Sequence, residues 1–256
     1  MIYVWHTDHY INEEVSTALH AGIPQNILKH TAFAENYFKN TNKYPAVGYG
    51  ILRGTGDIFK HNEQHGVDYY MVDRGYINPG HFDGYYRISK NGLQAKYVDK
   101  DLPGDRLAKL KYERANWFNP KGKIIVCPPS EYIEQYYNMV PGAWEKKVMQ
   151  LLENVSRPSK VRHKSDTTKL EHDLQDAYCV ITCNSNVAVD AAIKGIPVFA
   201  DHKSVVHGWG INSWGDLHKL EAPTDDKIDK LLRFLSYNQF TLEEIRNGTA
   251  WRLLHE

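Results

Sequence analysis

The sequence predicts an α/β fold built as two parallel-sheet domains, and three observations predict it. Short apolar runs of strand length alternate with helical stretches from the first residues onward. Two strand–turn–helix junctions stand far apart, one after residues 46–52 and one after residues 179–183. Between them, residues 91–121 are charged and turn-rich, and the alternation restarts at Lys123. The chain therefore reads as domains at 1–110 and 111–256.

Ile2-Tyr3-Val4-Trp5 is the first strand, β-branched and aromatic in composition. It ends in His6-Thr7-Asp8-His9, at the strand terminus where α/β sheets place their ligands. His6, Asp8 and His9 suit acid/base work. As metal ligands they lack a downstream Cys or His partner at a recognised spacing, so a polar loop is the better reading there. A helical stretch with Val15, Ala18 and Leu19 follows and is broken by Gly22 and Pro24. Residues 46–52 read as the next strand, and Arg53-Gly54-Thr55-Gly56-Asp57 leads into a helix over 58–65. Phe59 stands where a dinucleotide fingerprint needs its third glycine, so that motif is absent. Gly54 and Gly56 still let backbone approach a phosphate or sugar closely, and Arg53 adds charge; a tight turn capped by Asp57 is the plainer alternative. His61 and His65 have zinc-helix spacing, but Asn62 occupies the place of the metalloprotease Glu, which leaves an exposed helix face.

Residues 68–73 form a strand ending on Asp73, beside Arg74 and Gly75. A carboxylate at that end of a strand fits a general base; paired with Arg74 or another arginine it would be structural. Residues 80–87 are rich in glycine and aromatics. Sugars and bases stack on Tyr, and Arg holds phosphate, so Tyr85, Tyr86 and Arg87 are candidate acceptor contacts, or else members of a packed hairpin. In the second half, Lys123-Ile124-Ile125-Val126-Cys127 is a buried-type strand closed by Pro128-Pro129-Ser130. Residues 143–154 form an amphipathic helix, and residues 160–164 a basic strand carrying Arg162 and Lys164.

Residues 173–201 then compress a half-helix, a strand ending in Thr182-Cys183, a polar turn Asn184-Ser185-Asn186, a helix and a second strand. Gly195 stops the helix and Pro197 opens the strand. The turn suits a phosphate, and Asp190, one turn into the helix, suits a ribose hydroxyl pair. A plain capped crossover is the alternative, although a carboxylate among Val187, Val189, Ala191 and Ala192 then has little purpose. In the following loop Trp209 is either an acceptor platform or a clamp holding the loop to its own domain. Two helices end the chain, the second opened by the capping box Thr241-Leu242-Glu243-Glu244.

Lys plus Arg and Asp plus Glu number 31 each in 256 residues, so no global basic field points to nucleic acid or an anionic membrane. Cys127, Cys179 and Cys183 fall in or beside buried strands and do not make a disulfide scaffold. No apolar run is long enough to span a membrane and no leader is recognisable, so the expected location is the cytoplasm.

The run Asp-Leu-x-x-Ala-x-x-Val-Ile-Thr-x-x-Ser from Asp173, followed by Ala-x-x-x-Gly-x-Pro-Val, resembles the donor-binding half of glycosyltransferases with the B-type fold, in particular capsular-polysaccharide and phage-encoded ones. The resemblance implies two Rossmann-like domains facing across a cleft, with terminal helices crossing back. It implies a nucleotide-sugar co-substrate, no other cofactor and no essential metal ion. Ser185 and Asn186 would lie at the donor phosphates and Asp190, in place of the usual Glu, at the ribose, with Thr182 also in the donor site. Arg162 or Lys164 would neutralise the leaving diphosphate. Asp73, with Asp8 next, would deprotonate the acceptor hydroxyl, and Arg53, Tyr85, Tyr86, Arg87 and Trp209 would bind the acceptor. For a phage-encoded enzyme that acceptor would be a hydroxymethylated pyrimidine in DNA, met in the host cytoplasm; for a capsular one, a surface glycan. A nucleotide-sugar epimerase and a non-catalytic nucleotide-binding module are the competing readings.

Overall fold

The computed structural model describes residues 1–39 and 43–256. The chain is mixed α/β and divides into two compact units, Met1–Ala95 with Leu235–Glu256, and Lys96–Phe234. The division thus falls at 95/96 instead of 110/111, and the last residues join the first unit because they add a strand to its sheet.

The first unit runs β1 (Ile2–His6), α1 (Tyr10–Gly22), β2 (Lys29–Phe33), a 3-10 segment (Ala34–Lys39), β3 (Ala46–Tyr49), α2 (Thr55–Gln64), β4 (Tyr69–Arg74) and β5 (Tyr85–Lys90). Strand β1 pairs in parallel with β2 on one side and β3 on the other, β3 pairs in parallel with β4, and β4 turns back antiparallel into β5. Alternating side chains sort the two faces. Val4, Val47, Tyr70 and Val72 pack with Ile11, Val15, Ala18 and Leu19 of α1. On the other face Tyr69 stacks on Phe59 of α2, and Trp5 meets the edge of Tyr37. Each large aliphatic side chain so buried contributes about 1.5–3 kcal/mol.

The second unit runs through a 3-10 turn (Leu107–Lys109) to β6 (Lys123–Cys127), α3 (Glu131–Tyr136), α4 (Ala143–Leu152), β7 (Ser159–Val161), α5 (Leu170–Leu174), β8 (Ala177–Thr182), α6 (Val187–Ile193), β9 (Val198–Ala200), a 3-10 segment (Trp214–His218) and most of α7 (Asp225–Tyr237), whose last three residues belong to the first unit. All its strand pairs are parallel, in the order β7-β6-β8-β9. Every residue of β8 is buried, as its continuous apolar run requires of a central parallel strand. The three cysteines are buried and unbridged.

The chain then returns to the first unit as β10 (Gln239–Thr241), α8 (Leu242–Arg246) and α9 (Thr249–His255). Strand β10 pairs antiparallel with β5, which gives the sheet order β10-β5-β4-β3-β1-β2. Thr241 forms both halves of the predicted capping box with Glu244. Gly22, which reads in sequence as a helix breaker, lies against α8: a Cβ there would stand 1.8 Å from the Ile245 carbonyl oxygen. Its role is close approach.

Both sheets share one arrangement. In each, the first strand of the unit is central, the second lies on one side of it, and the third on the other. Consecutive crossovers therefore leave in opposite directions, between β1 and β3 in the first unit and between β6 and β8 in the second. The crevice outside the carboxyl ends of such a strand pair is where open α/β sheets take ligands. No described helix is long and apolar enough to cross a membrane.

Candidate functional site

In the second unit, the strand pair that parts is tied by Thr182, which is fully buried. Its hydroxyl donates to the Cys127 carbonyl at 2.8 Å and accepts from the Ser185 backbone N–H at 3.3 Å. Thr182 therefore holds the polar turn from beneath. Ser185 Oγ accepts from the Val187 N–H at 3.3 Å, and its own O–H has no acceptor among the described residues. Ser185 and Asn186 are half-buried at the rim. Helix α6 is only seven residues long, so an anion here would be held by turn donors and nearby side chains, with little from a helix dipole.

Asp190 lies one turn further on, and its carboxylate has no hydrogen-bond or ion-pair partner among the described residues. The side chain keeps solvent access while surrounding protein thins the water near it. Desolvation pushes the carboxyl up to about 6, with Lys194 pulling the other way. Arg162 is differently placed from the sequence expectation. Its guanidinium donates to Asp173 at 2.5 Å, to Thr168 Oγ1 at 3.0 Å and to the Thr168 carbonyl at 2.7 Å. Lys160 holds the other oxygen of Asp173 at 2.6 Å. Desolvation pushes the Asp173 carboxyl up, but these two cations outweigh it and leave it below its ordinary value. Arg162 is thus built into a buried ion-pair knot, whereas Lys164 is exposed and has no partner among the described residues.

In the first unit, the corresponding strand pair is tied by Asn12, also buried. Its Oδ1 accepts from the Thr7 N–H at 3.0 Å, and its Nδ2 donates to the Tyr49 carbonyl at 3.2 Å. Beside it an open cavity of about 460 Å³ is lined by His6, Thr7, Asp8, Phe33, Ala34, Glu35 and Arg53. Asp8 and Arg53, far apart in sequence, are brought together here. Arg53 sits at φ 58, left-handed backbone that strains a non-glycine residue, and is followed by Gly54 at φ 93. Asp8, Glu35 and Arg53 have no side-chain partners among the described residues, and His6 Nδ1 is buried without one. Glu35 escaped the sequence reading because β2, a mostly exposed Lys-His-Thr-Ala-Phe run, shows no strand pattern.

Five other expected site residues are placed elsewhere. Asp73 is ion-paired to Arg87 at 2.6 Å and accepts from the Arg74 N–H at 2.8 Å. Tyr86 is fully buried and donates to the His81 carbonyl, and Arg87 is also buried; Tyr85 is half-buried. That segment is a packed hairpin: β4 and β5 pair through it, and its inward side chains are consumed by the fold. Trp209 is 2% exposed, with its indole N–H donated to the Lys227 carbonyl at 2.8 Å, so it clamps the loop to its own unit. No group of three or more His, Cys, Asp or Glu among the described residues could hold a metal ion.

No family model and no curated protein matches the chain. Among solved structures it is similar to Thermosulfurimonas dismutans KpsC, beta Kdo 2,4 transferase, with a TM-score of 0.48 at 11% identity, over 92% of this chain and 91% of that one. It is similar to Thermosulfurimonas dismutans KpsC, beta Kdo 2,7 transferase, at 0.48 and 13%, over 100% and 99%. A ligand-free, open substrate binding protein with adhesive properties from Clostridium difficile shows 0.28 and 11%, over 99% and 84%. Superposition at that level fixes neither fold nor chemistry, which rest on the chain's own strand order and side chains.

Proposed function

We propose that the chain is a glycosyltransferase that moves a sugar from a nucleotide-sugar to a hydroxyl acceptor. The second unit holds the donor and the first holds the acceptor and the base. The observation that carries this reading is Asp190, an unpartnered carboxylate set one turn beyond the polar Thr182–Asn186 crossover of a parallel sheet. Such a carboxylate accepts from both ribose hydroxyls, while Ser185 and Asn186 meet phosphate oxygens. Asp8 takes the acceptor proton as that oxygen attacks the anomeric carbon, and Arg53 orients the acceptor beside it. The bond from the anomeric carbon to the donor phosphate breaks, with its electrons passing to the phosphate oxygen. The exposed Lys164 draws the donor inward by long-range charge. As proposed, the transfer uses no resident metal.

For the acceptor we favour a glycan hydroxyl over a hydroxymethylated pyrimidine in DNA. The cavity beside Asp8 carries Asp8 and Glu35 against a single arginine, a lining that would repel a phosphate backbone. A nucleotide-sugar epimerase would convert the donor with no acceptor added, which separates it from this reading.

The test is a thermal-shift screen of nucleotides and nucleotide-sugars, because a ligand specific for the folded state raises stability as ln(1 + [L]/Kd). One nucleotide class should shift the wild type, and Asp190→Ala should lose the shift for ribose-bearing ligands. Binding should also weaken as pH falls through about 6, since the protonated carboxyl gives up acceptor capacity. The free protein moves the opposite way. A folded carboxyl above its ordinary 3.8 gains stability from protonation as pH drops below about 6. An Asp190→Ala protein that binds ribose-bearing nucleotides like the wild type would sink the assignment.

A further inference from the structure

The leaving donor phosphate needs a positive partner, and Arg162 has its fork committed to Asp173 and Thr168. Another cation stands at the crossover. After β9 the chain remains joined to the end of β8, with the Asp201 N–H donating to the Thr182 carbonyl at 3.1 Å. Two residues on, the Lys203 N–H donates to Asp201 Oδ1 at 3.3 Å, which folds the lysine back over the same sheet edge. Its ammonium stands 5.1 Å from the ring centre of Tyr137, a residue of the segment that follows β6. Burial and then Asp201 push the Cys183 thiol, in the turn after β8, up to about 12, and Lys203 pulls the other way. Segments leaving β6, β8 and β9 thus converge on Lys203, and β6 and β8 are the strand pair that parts.

The contacts of Lys203 are loose ones. Its ammonium lies 3.3 Å from Asp201 Oδ1 and 3.1 Å from His202 Nε2, against 2.6 Å for Lys160 on Asp173. An ammonium has three hydrogens on a flexible stem, so Lys203 can turn one to a phosphate oxygen without dismantling a tight pair. The side chain is 20% exposed, enough to be reached yet shielded enough that its charge is not fully screened.

We propose that Lys203 is the phosphate-binding cation of the donor site and the group that neutralises the departing nucleotide. This rests on the glycosyltransferase reading above. In the transfer step Lys203 stays protonated: the anomeric C–O bond breaks toward the phosphate, the acceptor oxygen forms the new bond, and the acceptor proton goes to Asp8.

The test is calorimetric titration of the whole chain with the four common nucleoside 5′-diphosphates and the matching nucleosides. Lys203→Gln should weaken diphosphate binding about tenfold or more and leave nucleoside binding unchanged. Lys203→Arg should restore most of the loss, and the salt sensitivity of diphosphate binding should fall in Lys203→Gln. Asp201→Asn, which removes the carboxylate that competes for the ammonium, should tighten diphosphate binding severalfold, a gain that misfolding cannot imitate. If the wild type binds a diphosphate and Lys203→Gln binds it equally well, or Asp201→Asn brings no tightening, Lys203 is not the phosphate cation. If the wild type binds none of the nucleotides, the donor reading itself fails.

Discussion

Asp73 gives one carboxylate oxygen to Arg87 and the other to a backbone N–H, while Asp8 faces its cavity with neither. A base must accept a proton at the moment of attack, and a carboxylate held by a guanidinium gives up that pair when it does so. We therefore expect Asp8→Asn to lower the transfer rate by roughly 10²–10⁴-fold with little change in melting temperature. Asp73→Asn should leave the rate within a few-fold and cost about 1–2 kcal/mol of stability, since Arg87 is mostly buried and loses its counter-charge to a partly solvated partner. Steady-state rates and chemical denaturation of both variants decide it; equal rate losses would reject Asp8 as the base. At this scale the sequence located strand ends well, because apolar runs stop visibly at Asp8 and Asp73. It could not tell which polar side chains the fold would consume. Tyr86, Arg87 and Trp209 read in sequence equally as ligand contacts or as packing, and the fold buries all three. Lys203 carries no such signal in sequence, because the ring its ammonium approaches, Tyr137, lies far away in the chain.

At the scale of elements, each sheet relies on one buried polar side chain where its strands part, Asn12 in the first and Thr182 in the second. Parting strands leave backbone groups with no ladder partner, and a short side chain that satisfies one group on each side restores the count. Thr182→Val keeps the shape but strands the buried Cys127 carbonyl and frees the Ser185 turn. We expect a loss of about 1–3 kcal/mol by urea denaturation and weaker nucleotide binding. A variant as stable as the wild type would show that the tie is dispensable. The β8 strand and its crossover were legible because apolar run, polar turn, helix and glycine stop follow in order. Strands β2 and β10 were not: one is mostly solvent-facing, and the other is only three residues long and ends on the capping-box Thr241 itself.

For the whole molecule, the restart of α/β pattern at Lys123 showed in sequence, because composition changes where the first sheet ends. The return of residues 235–256 to the first unit did not, since antiparallel pairing of β10 with β5 joins segments separated by the entire second unit. Those residues bring Phe240, Leu242, Ile245 and Ala250 to the first unit's core. At about 1.5–3 kcal/mol for each large side chain, they supply several kcal/mol, comparable with the whole stability of a domain. A chain ending at Phe234 should therefore lose hydrogen-exchange protection in β1 to β5 while β6 to β9 keep theirs. Uniform loss, or none, would contradict two separable cores.

The late arrival of β10 also bears on how the polypeptide is born. As it leaves the ribosome, residues 96–234 are all present before the edge strand of the earlier-made sheet emerges. The nascent first sheet waits with the flank of β5 uncovered, open to pairing with a neighbouring nascent chain, until β10 emerges to cover it.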